Sequence, residues 1–240
     1  MTDNVQTAVV TGAGSGVGRA VALKFAAEGW RVALVGRREE ALEETRGLMP
    51  PEAAARALCV GCDLRDGAAV DVMAATVLEA FHYVDVLVNS AGTNVPRRSF
   101  DVLSREDWHD VLATNLHGAF YCVKAFLPSM RARATGTVVN INSDAGKIAR
   151  DLAGVAYVTS KFGLAGLAQS LNAEERAHGI RACSIFPRDV NTPLLDKRPQ
   201  PPPAEARARM IQPEDMAECV WLAATMPSRA IVEEIFISSR

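Results

Sequence analysis

The chain has 240 residues, of which 49% are hydrophobic and 22% are charged, and its 26 lysines and arginines against 28 aspartates and glutamates give a net charge of −2 at pH 7. This composition is typical of a water-soluble globular protein and lacks the basic excess that draws a protein to nucleic acid or to an anionic membrane. The sequence contains neither a secretory signal nor a stretch near the roughly 18 apolar residues that a membrane span needs. We therefore expect a cytoplasmic protein without a nucleic-acid or membrane partner.

Short apolar runs alternate with stretches of helical periodicity along the whole chain. The runs predict seven strands, at residues 7–10, 31–35, 57–62, 84–88, 137–141, 180–186 and 234–237. The stretches between them predict helices near residues 17–28, 38–48, 66–81, 105–131, 155–178 and 214–224. Such alternation is typical of βαβ units. We therefore expect one doubly wound α/β domain over residues 1–240, with helices flanking a central parallel sheet.

Residues 187–212 form the most irregular segment, which is rich in proline and too long for a plain connection. A linker is one interpretation. Because the strand pattern resumes after this segment, we prefer a substrate lid that crosses the edge of the sheet.

The five cysteines are an odd number in a chain long enough to fold without disulfides. Cys59 and Cys62 form a C-x-x-C pair, but the pair lies in a predicted strand, and no second pair or nearby histidine completes a zinc set. We expect reduced thiols and no bound metal.

A glycine-rich loop directly follows the first predicted strand and leads into an amphipathic helix. Gly12, Gly16 and Gly18 have the spacing G-x-x-x-G-x-G, which differs from G-x-G-x-x-G and from the P-loop. Backbone without a Cβ atom can approach a pyrophosphate closely, and the free N–H groups at the start of the helix stabilise the anion. The loop therefore predicts a dinucleotide site.

This spacing resembles the TGxxxGxG motif of the short-chain dehydrogenase/reductase family, and further matches follow in chain order across the whole chain. Residues 89–92 (Asn-Ser-Ala-Gly) resemble the family's NNAG motif. Asn115, Ser143, Tyr157 and Lys161 resemble its catalytic tetrad. The resemblance implies that a nicotinamide cofactor is bound by Gly12, Ser15, Gly16, Val17, Gly18, Arg37, Arg38, Asp63, Leu64, Asn89, Ala91, Gly92, Tyr157, Lys161, Pro187, Val190 and Thr192, with Asp63 at the adenine.

The end of the second strand indicates which dinucleotide binds. Gly36 stands where an NAD enzyme usually places a carboxylate for the ribose 2′-hydroxyl, and Arg37 supplies a guanidinium that can pair with the 2′-phosphate of NADP. We therefore expect NADP(H) rather than NAD(H). Two observations keep NAD open: Arg37 and Arg38 could begin a solvated helix, and Ser15 is not the second cation that many NADP-preferring relatives carry in the glycine loop.

The residues of the tetrad have complementary chemistry. Tyr157 and Lys161 are four residues apart on a predicted helix and so project from one face. An adjacent ammonium and an oxidised nicotinamide both favour a phenolate, so we expect Lys161 to lower the pKa of Tyr157. Tyr157 would then exchange a proton with the substrate oxygen, which the Ser143 hydroxyl can hold. The family resemblance implies that Asn115 anchors a water between Lys161 and solvent.

The segment from Pro187 to Thr192 resembles the family's PG…T motif, whose threonine and backbone hold the nicotinamide carboxamide. Arg188 replaces the glycine of that motif. If this position has a positive φ, arginine is strained there and shifts the loop. The departure puts the contacts of Val190 and Thr192 with the cofactor in doubt.

These features predict an oxidoreductase that interconverts a secondary alcohol and a ketone with NADP(H). Three alternatives remain: an NAD-dependent dehydrogenase of the same family; a weak or inactive nucleotide-binding sensor, favoured by Arg188; and a dehydratase or epimerase, for which the chain is short. The long helices near residues 108–131 and 157–178 predict a homodimer or homotetramer.

The substrate is expected to be a small molecule in a pocket formed by residues 93–100, 144–155 and 187–212. Cations in these segments suggest an anionic substrate, although a solvated rim explains most of them equally well. These cations are Arg97, Arg98, Lys147, Arg150, Lys197 and Arg198.

Overall fold

Seven parallel strands form one sheet in the order β3-β2-β1-β4-β5-β6-β7. The structure is a computed structural model that describes residues 5–240. The expectation that the N-terminus carries no secretory signal involves residues 1–4, which lie outside the described residues. The predicted parallel α/β fold is confirmed. The strands are β1 Thr7–Thr11, β2 Arg31–Gly36, β3 Leu58–Gly61, β4 Val86–Asn89, β5 Gly136–Ile141, β6 Ile180–Pro187 and β7 Glu234–Ile237.

Helices cover both faces of this sheet, which is why its central strands are apolar on both sides. Alternate residues of β1 join different core clusters: Val10 packs with Phe25 and Trp30 on one face, and Val9 packs with Phe126 on the other. The helices are α1 Gly16–Ala27, α2 Glu39–Gly47, α3 Pro51–Arg56, α4 Gly67–Phe81, α5 Arg105–Leu112, α6 Gly118–Arg133, α7 Val155–Glu175, α8 Ala204–Arg207 and α9 Pro213–Thr225.

The structure departs from the predicted helices in three places. A π-helical turn over Ala113–His117 divides the helix predicted at residues 105–131 into α5 and α6. The short helices α3 and α8 were not predicted, because four to six residues show too little periodicity.

β6 is tied to the helices beside it by polar side chains. β7 pairs with β6 only from Ser184 onward. At Ala182, the buried side chain of Asn172 in α7 supplies the hydrogen bonds that a neighbouring strand would make. Its Nδ2 donates to the Ala182 carbonyl at 2.9 Å, and its Oδ1 accepts from the Ala182 N–H at 2.7 Å. Arg181 donates to the carbonyls of Ala224 and Met226 at the end of α9. These contacts fix the strand that leads into the lid segment, as we call residues 187–212.

Within residues 5–240, no helix combines the length and the apolar character that crossing a membrane requires. The five cysteines are all free, and this part of the chain holds no cluster of three or more histidine, cysteine, aspartate or glutamate side chains suited to a metal ion. Burial raises the pKa of both Cys59 and Cys62 to about 11.

Candidate active site

A cavity of about 900 Å³ opens where the strands end at their carboxyl edge. Strand order reverses beside β1, which lies between β2 and β4, and such a reversal is the usual ligand site of an open α/β sheet. The predicted site residues on the cavity wall are Gly12, Ser15, Gly16, Val17, Gly18, Arg37, Arg38, Ala91, Gly92, Ser143, Tyr157, Lys161, Pro187, Val190 and Thr192. Within the described chain, four predicted residues lie away from this wall: Asp63, Leu64, Asn89 and Asn115.

The glycine loop has the geometry of an anion cradle. Gly12 and Gly16 have φ values of +67° and +51°, in the left-handed region, and a Cβ atom at Gly12 would lie 2.9 Å from the Cα atom of Ala91. The first residues of α1 line the cavity, and the side chain of Ser15 makes no capping hydrogen bond to them. Free N–H groups and the positive end of a helix at this glycine-rich loop fit the pyrophosphate of a dinucleotide.

Thr11 connects the glycine loop to the strand on its other side, and sequence reasoning did not single it out. Its hydroxyl oxygen accepts from the backbone N–H groups of Ser90 and Ala91 at 3.0 and 3.1 Å and donates to the Val88 carbonyl. The loops after β1 and β4 are therefore held at a fixed separation. A threonine at a strand end was the available signal for this contact.

Lys161 lies deep in the cavity wall. Lys161 is only 4% exposed, and its Nζ donates to the Ile141 carbonyl at 2.8 Å. The Nζ lies 5.5 Å from the ring centre of Tyr157. Burial lowers the pKa of Lys161 to about 8. The amine is thus close to the range in which it can release a proton.

Tyr157 differs from the expectation of a lowered pKa. Burial raises the pKa of its phenol to about 12; the Ser143 hydroxyl opposes this shift, the Asp144 carboxylate adds to it, and the guanidinium groups of Arg198 and Arg98 lower it. Lys161 is not among these causes. The prediction was wrong, because the cost of burying a phenolate is larger than the attraction of the nearby cations.

Asn115 is buried in the π-helical turn and does not line the cavity. Its Oδ1 accepts from the Thr93 N–H at 2.7 Å, and its Nδ2 donates to the Thr93 carbonyl and to Ser160 Oγ at 3.0 and 3.1 Å. The Ser160 hydroxyl in turn donates to the Tyr157 carbonyl at 2.7 Å. Asn115 therefore fixes both the loop after β4 and α7, and its link to a water stays a prediction. Ser160 was missed, since its partners come from distant parts of the sequence.

Asp63 and Asn89 make contacts away from the cavity. Arg65 forms an ion pair with Asp63 at 2.7 Å, and this contact lowers the pKa of the carboxyl. Asn89 Nδ2 donates to Asn140 Oδ1 at 2.9 Å between two buried strand ends. A cofactor contact by either residue, or by Leu64, stays a prediction.

Arg188 adopts its backbone conformation without strain. Within the described chain, the residues other than glycine with a positive φ are His82 and Ala134. The N–H of Arg188 donates to the Ile237 carbonyl at 3.1 Å and so continues the contact of β6 with β7. The strain considered for this position is absent, and its exposed side chain lines the cavity.

The lid segment forms one side of the cavity and contacts the loop after β4. Lys197 Nζ donates to Thr93 Oγ1 at 2.7 Å, and Arg198 pairs with Asp189 within the segment. Of the cations predicted to line the pocket, four do so and two do not. Those on the wall are Arg98, Arg150, Lys197 and Arg198, while Arg97 and Lys147 lie off it.

The family model described as short chain dehydrogenase matches residues 6–202, which is most of the chain. The chain belongs to this family. This short-chain dehydrogenase is 39% identical over 191 residues to the short-chain reductase protein NovJ of Streptomyces niveus, covering 79% of this chain and 71% of the relative. It is 37% identical over 207 residues to D-threitol dehydrogenase of Mycolicibacterium smegmatis, covering 86% and 78%. Among solved structures, an actinorhodin polyketide ketoreductase variant with NADPH superimposes with a TM-score of 0.89 at 31% identity, covering 99% and 97%.

The burial of Lys161 predicts a stability cost. Its pKa falls from 10.5 to about 8, so the buried ammonium destabilises the folded state by about 3 kcal/mol at neutral pH. We expect Lys161→Met to raise the free energy of unfolding by about 1–3 kcal/mol at neutral pH, since loss of the hydrogen bond to Ile141 offsets part of the gain.

The pH dependence of this difference follows from the depressed pKa. Between about 8 and 10.5 the native state has released the proton of Lys161 and the unfolded state still holds it, so the wild type gains stability with rising pH. The advantage of Lys161→Met therefore shrinks across this range. Urea unfolding of both proteins below and above this window measures the effect, and a difference independent of pH would contradict it.

Proposed function

We propose that this short-chain dehydrogenase is an oxidoreductase that transfers a hydride between NADP(H) and a secondary alcohol or ketone, with Tyr157 as the general acid and base. The observation that carries the proposal is that one cavity is lined by the glycine-rich loop and by Tyr157, Ser143 and Lys161. When bound, the cofactor supplies or accepts the hydride. Its fit rests on the glycine loop and the free start of α1.

The residues of this chain would handle the proton and the substrate oxygen. The Ser143 hydroxyl holds the carbonyl oxygen, and Tyr157 donates its phenolic proton to that oxygen as the hydride reaches the carbon. Burial raises the pKa of Tyr157 to about 12 and so favours the protonated phenol, which is the form that reduction requires. Lys161, with a pKa of about 8, can replace that proton.

The absence of strain at Arg188 removes the observation that favoured a nucleotide-binding sensor. An unstrained backbone at this position leaves Val190 and Thr192 on the cavity wall, where the family resemblance places the nicotinamide contact. The oxidoreductase is therefore the better supported function. The lid function of residues 187–212, a single domain over residues 1–240 and a cytoplasmic location stay predictions.

Replacement of Tyr157 tests the proton-transfer role. We expect Tyr157→Phe to lower kcat for reduction of a panel of ketones by about 10²–10⁴-fold, because the variant has no proton to donate. NADPH oxidation measures the rate. The matched control is Tyr121→Phe, which removes a hydroxyl from a tyrosine of α6 outside the cavity wall; equal turnover by both variants would refute the proposal.

The cofactor preference rests on Arg37 and Arg38, which line the cavity beyond β2. The ketoreductase structure with NADPH supports the same choice. We expect the double change Arg37→Ala with Arg38→Ala to lower kcat/KM for NADPH by about 10–100-fold and to affect NADH much less, because the arginines pair with the 2′-phosphate. The control is Arg46→Ala, which removes a cation from the last turn of α2, outside the cavity wall. An unchanged ratio of NADPH to NADH would favour NAD instead.

We also propose that the chain forms a homodimer or homotetramer through α6 and α7. Phe120 on α6 and Phe162 on α7 are each 45% exposed, and large exposed apolar side chains favour contact with a second copy. Sedimentation equilibrium should show a dimer or tetramer at micromolar concentration. A clean monomer would exclude this assembly.

A further inference from the structure

Arg98 is a buried cation on the cavity wall. The residue is 7% exposed, and its guanidinium donates to three backbone carbonyls, those of Val95, Leu152 and Lys197. No carboxylate within the described residues pairs with it. Burying a charge without an opposite charge costs free energy. An anion bound beside the guanidinium of Arg98 would offset this cost.

The guanidinium of Arg98 retains donors for such an anion. An arginine has five N–H groups, and each of the three nitrogens uses one of them on a carbonyl. One N–H remains on each terminal nitrogen. These two remaining N–H groups can donate to the two oxygens of a carboxylate.

A second guanidinium, that of Arg198, lies on the same wall. Its side chain is held by Asp189 and is 18% exposed. The two arginines repel each other electrostatically: burial lowers the pKa of Arg98, and the charge of Arg198 lowers it further. Both also lower the pKa of Tyr157. Their charges therefore act at the phenol that would exchange the proton.

The charge of the whole cavity is consistent with this. Its wall, as far as the structure describes it, carries eight lysines and arginines against three aspartates, although the chain has a net charge of −2. Two of the aspartates are already paired, Asp144 with Arg150 and Asp189 with Arg198. Arg37 and Arg38 follow β2 at the proposed 2′-phosphate end, whereas Arg98 and Arg198 act on the phenol of Tyr157.

We propose that the substrate carries a carboxylate, which Arg98 binds with the help of Arg198, and that the enzyme acts on hydroxy acids and the corresponding oxo acids. The inference rests on the proposed function, because it assigns the substrate class of the same site. A solvated rim does not account for Arg98, since this side chain is buried while Arg97 beside it is exposed. A purely structural role for Arg98, in which its side chain only connects three loops, would require hydrogen-bond donors but no positive charge.

Paired compounds test the carboxylate directly. In the reduction of acetoacetate, the carbonyl carbon gains the hydride of NADPH, the carbonyl oxygen gains the proton of Tyr157, and NADPH is oxidised to NADP⁺. We expect kcat/KM for acetoacetate to exceed that for methyl acetoacetate by about 10–100-fold, since the ester lacks the charged hydrogen bond. Dihydroxyacetone phosphate and dihydroxyacetone form a second pair; a larger preference for the phosphate than for the carboxylate would overturn the assigned class.

Variants of the two arginines connect the preference to the site. We expect Arg98→Met and Arg198→Met each to lower the ratio of acid to ester kcat/KM by about tenfold or more, whereas Arg97→Met, which removes the same charge from an exposed neighbour, leaves the ratio unchanged. If Arg98→Met does not fold, Asp189→Asn decides in the opposite direction. It frees Arg198 from its carboxylate and should raise the ratio, while a merely structural ion pair would leave it unchanged or lower it.

Failure of the inference and failure of the proposed function give different results. Turnover of neutral ketones and esters at least as fast as acids would overturn the carboxylate site and leave the oxidoreductase intact. If no carbonyl compound is reduced, the proposed function fails, and calorimetric titration of the NADP⁺ complex still tests the anion. Equal affinities for acetoacetate and its methyl ester would then refute the carboxylate site, and a preference for the acid that Arg198→Met abolishes would support it.

Discussion

The reversal of strand order beside β1 is the constraint on which the rest of the site depends. Parallel strands end at the same edge of a sheet, and the reversal opens a crevice there because neighbouring connections leave in opposite directions. The loops after β1, β4 and β5 therefore meet in one place. The Thr11 hydroxyl then fixes the separation of the first two loops, which brings Gly12 so close to Ala91 that a Cβ atom cannot be accommodated.

Two buried cations stand in this crevice, and backbone carbonyls rather than carboxylates solvate both. Lys161 donates to Ile141, and Arg98 donates to three loop carbonyls. Carbonyl dipoles compensate a buried charge only in part, so each cation keeps an attraction for anions that a salt bridge would have cancelled. Both side chains are nearly inaccessible to solvent, so this attraction is screened less than it would be at the surface.

The sequence allowed the strands, the glycine loop and the tetrad to be predicted, because each depends on local patterns or on matches in chain order. The contacts of Thr11 and Ser160 could not be predicted, since their partners are far away in sequence. The pKa of Tyr157 was predicted in the wrong direction for a related reason. Spacing shows that Lys161 is near, but only the folded chain shows that desolvation of the phenol outweighs the attraction of the nearby cations. The cations of the pocket were likewise equivalent in the sequence, and burial alone distinguishes Arg98 from Arg97.

The π-helical turn over Ala113–His117 has a geometric consequence for the helix pair α5 and α6. Relative to a regular α-helix it accommodates one extra residue, and each residue rotates the helix face by about 100°. Because the π-helical turn absorbs this extra residue locally, α5 and α6 can keep their orientation relative to each other. In a regular helix the same extra residue would turn α5 by that angle relative to α6. Asn115 lies in this turn and reaches both Thr93 and Ser160 from it. The π-helical turn thus allows the apolar face of α6 to pack on the sheet while the side-chain amide of Asn115 reaches the loop after β4.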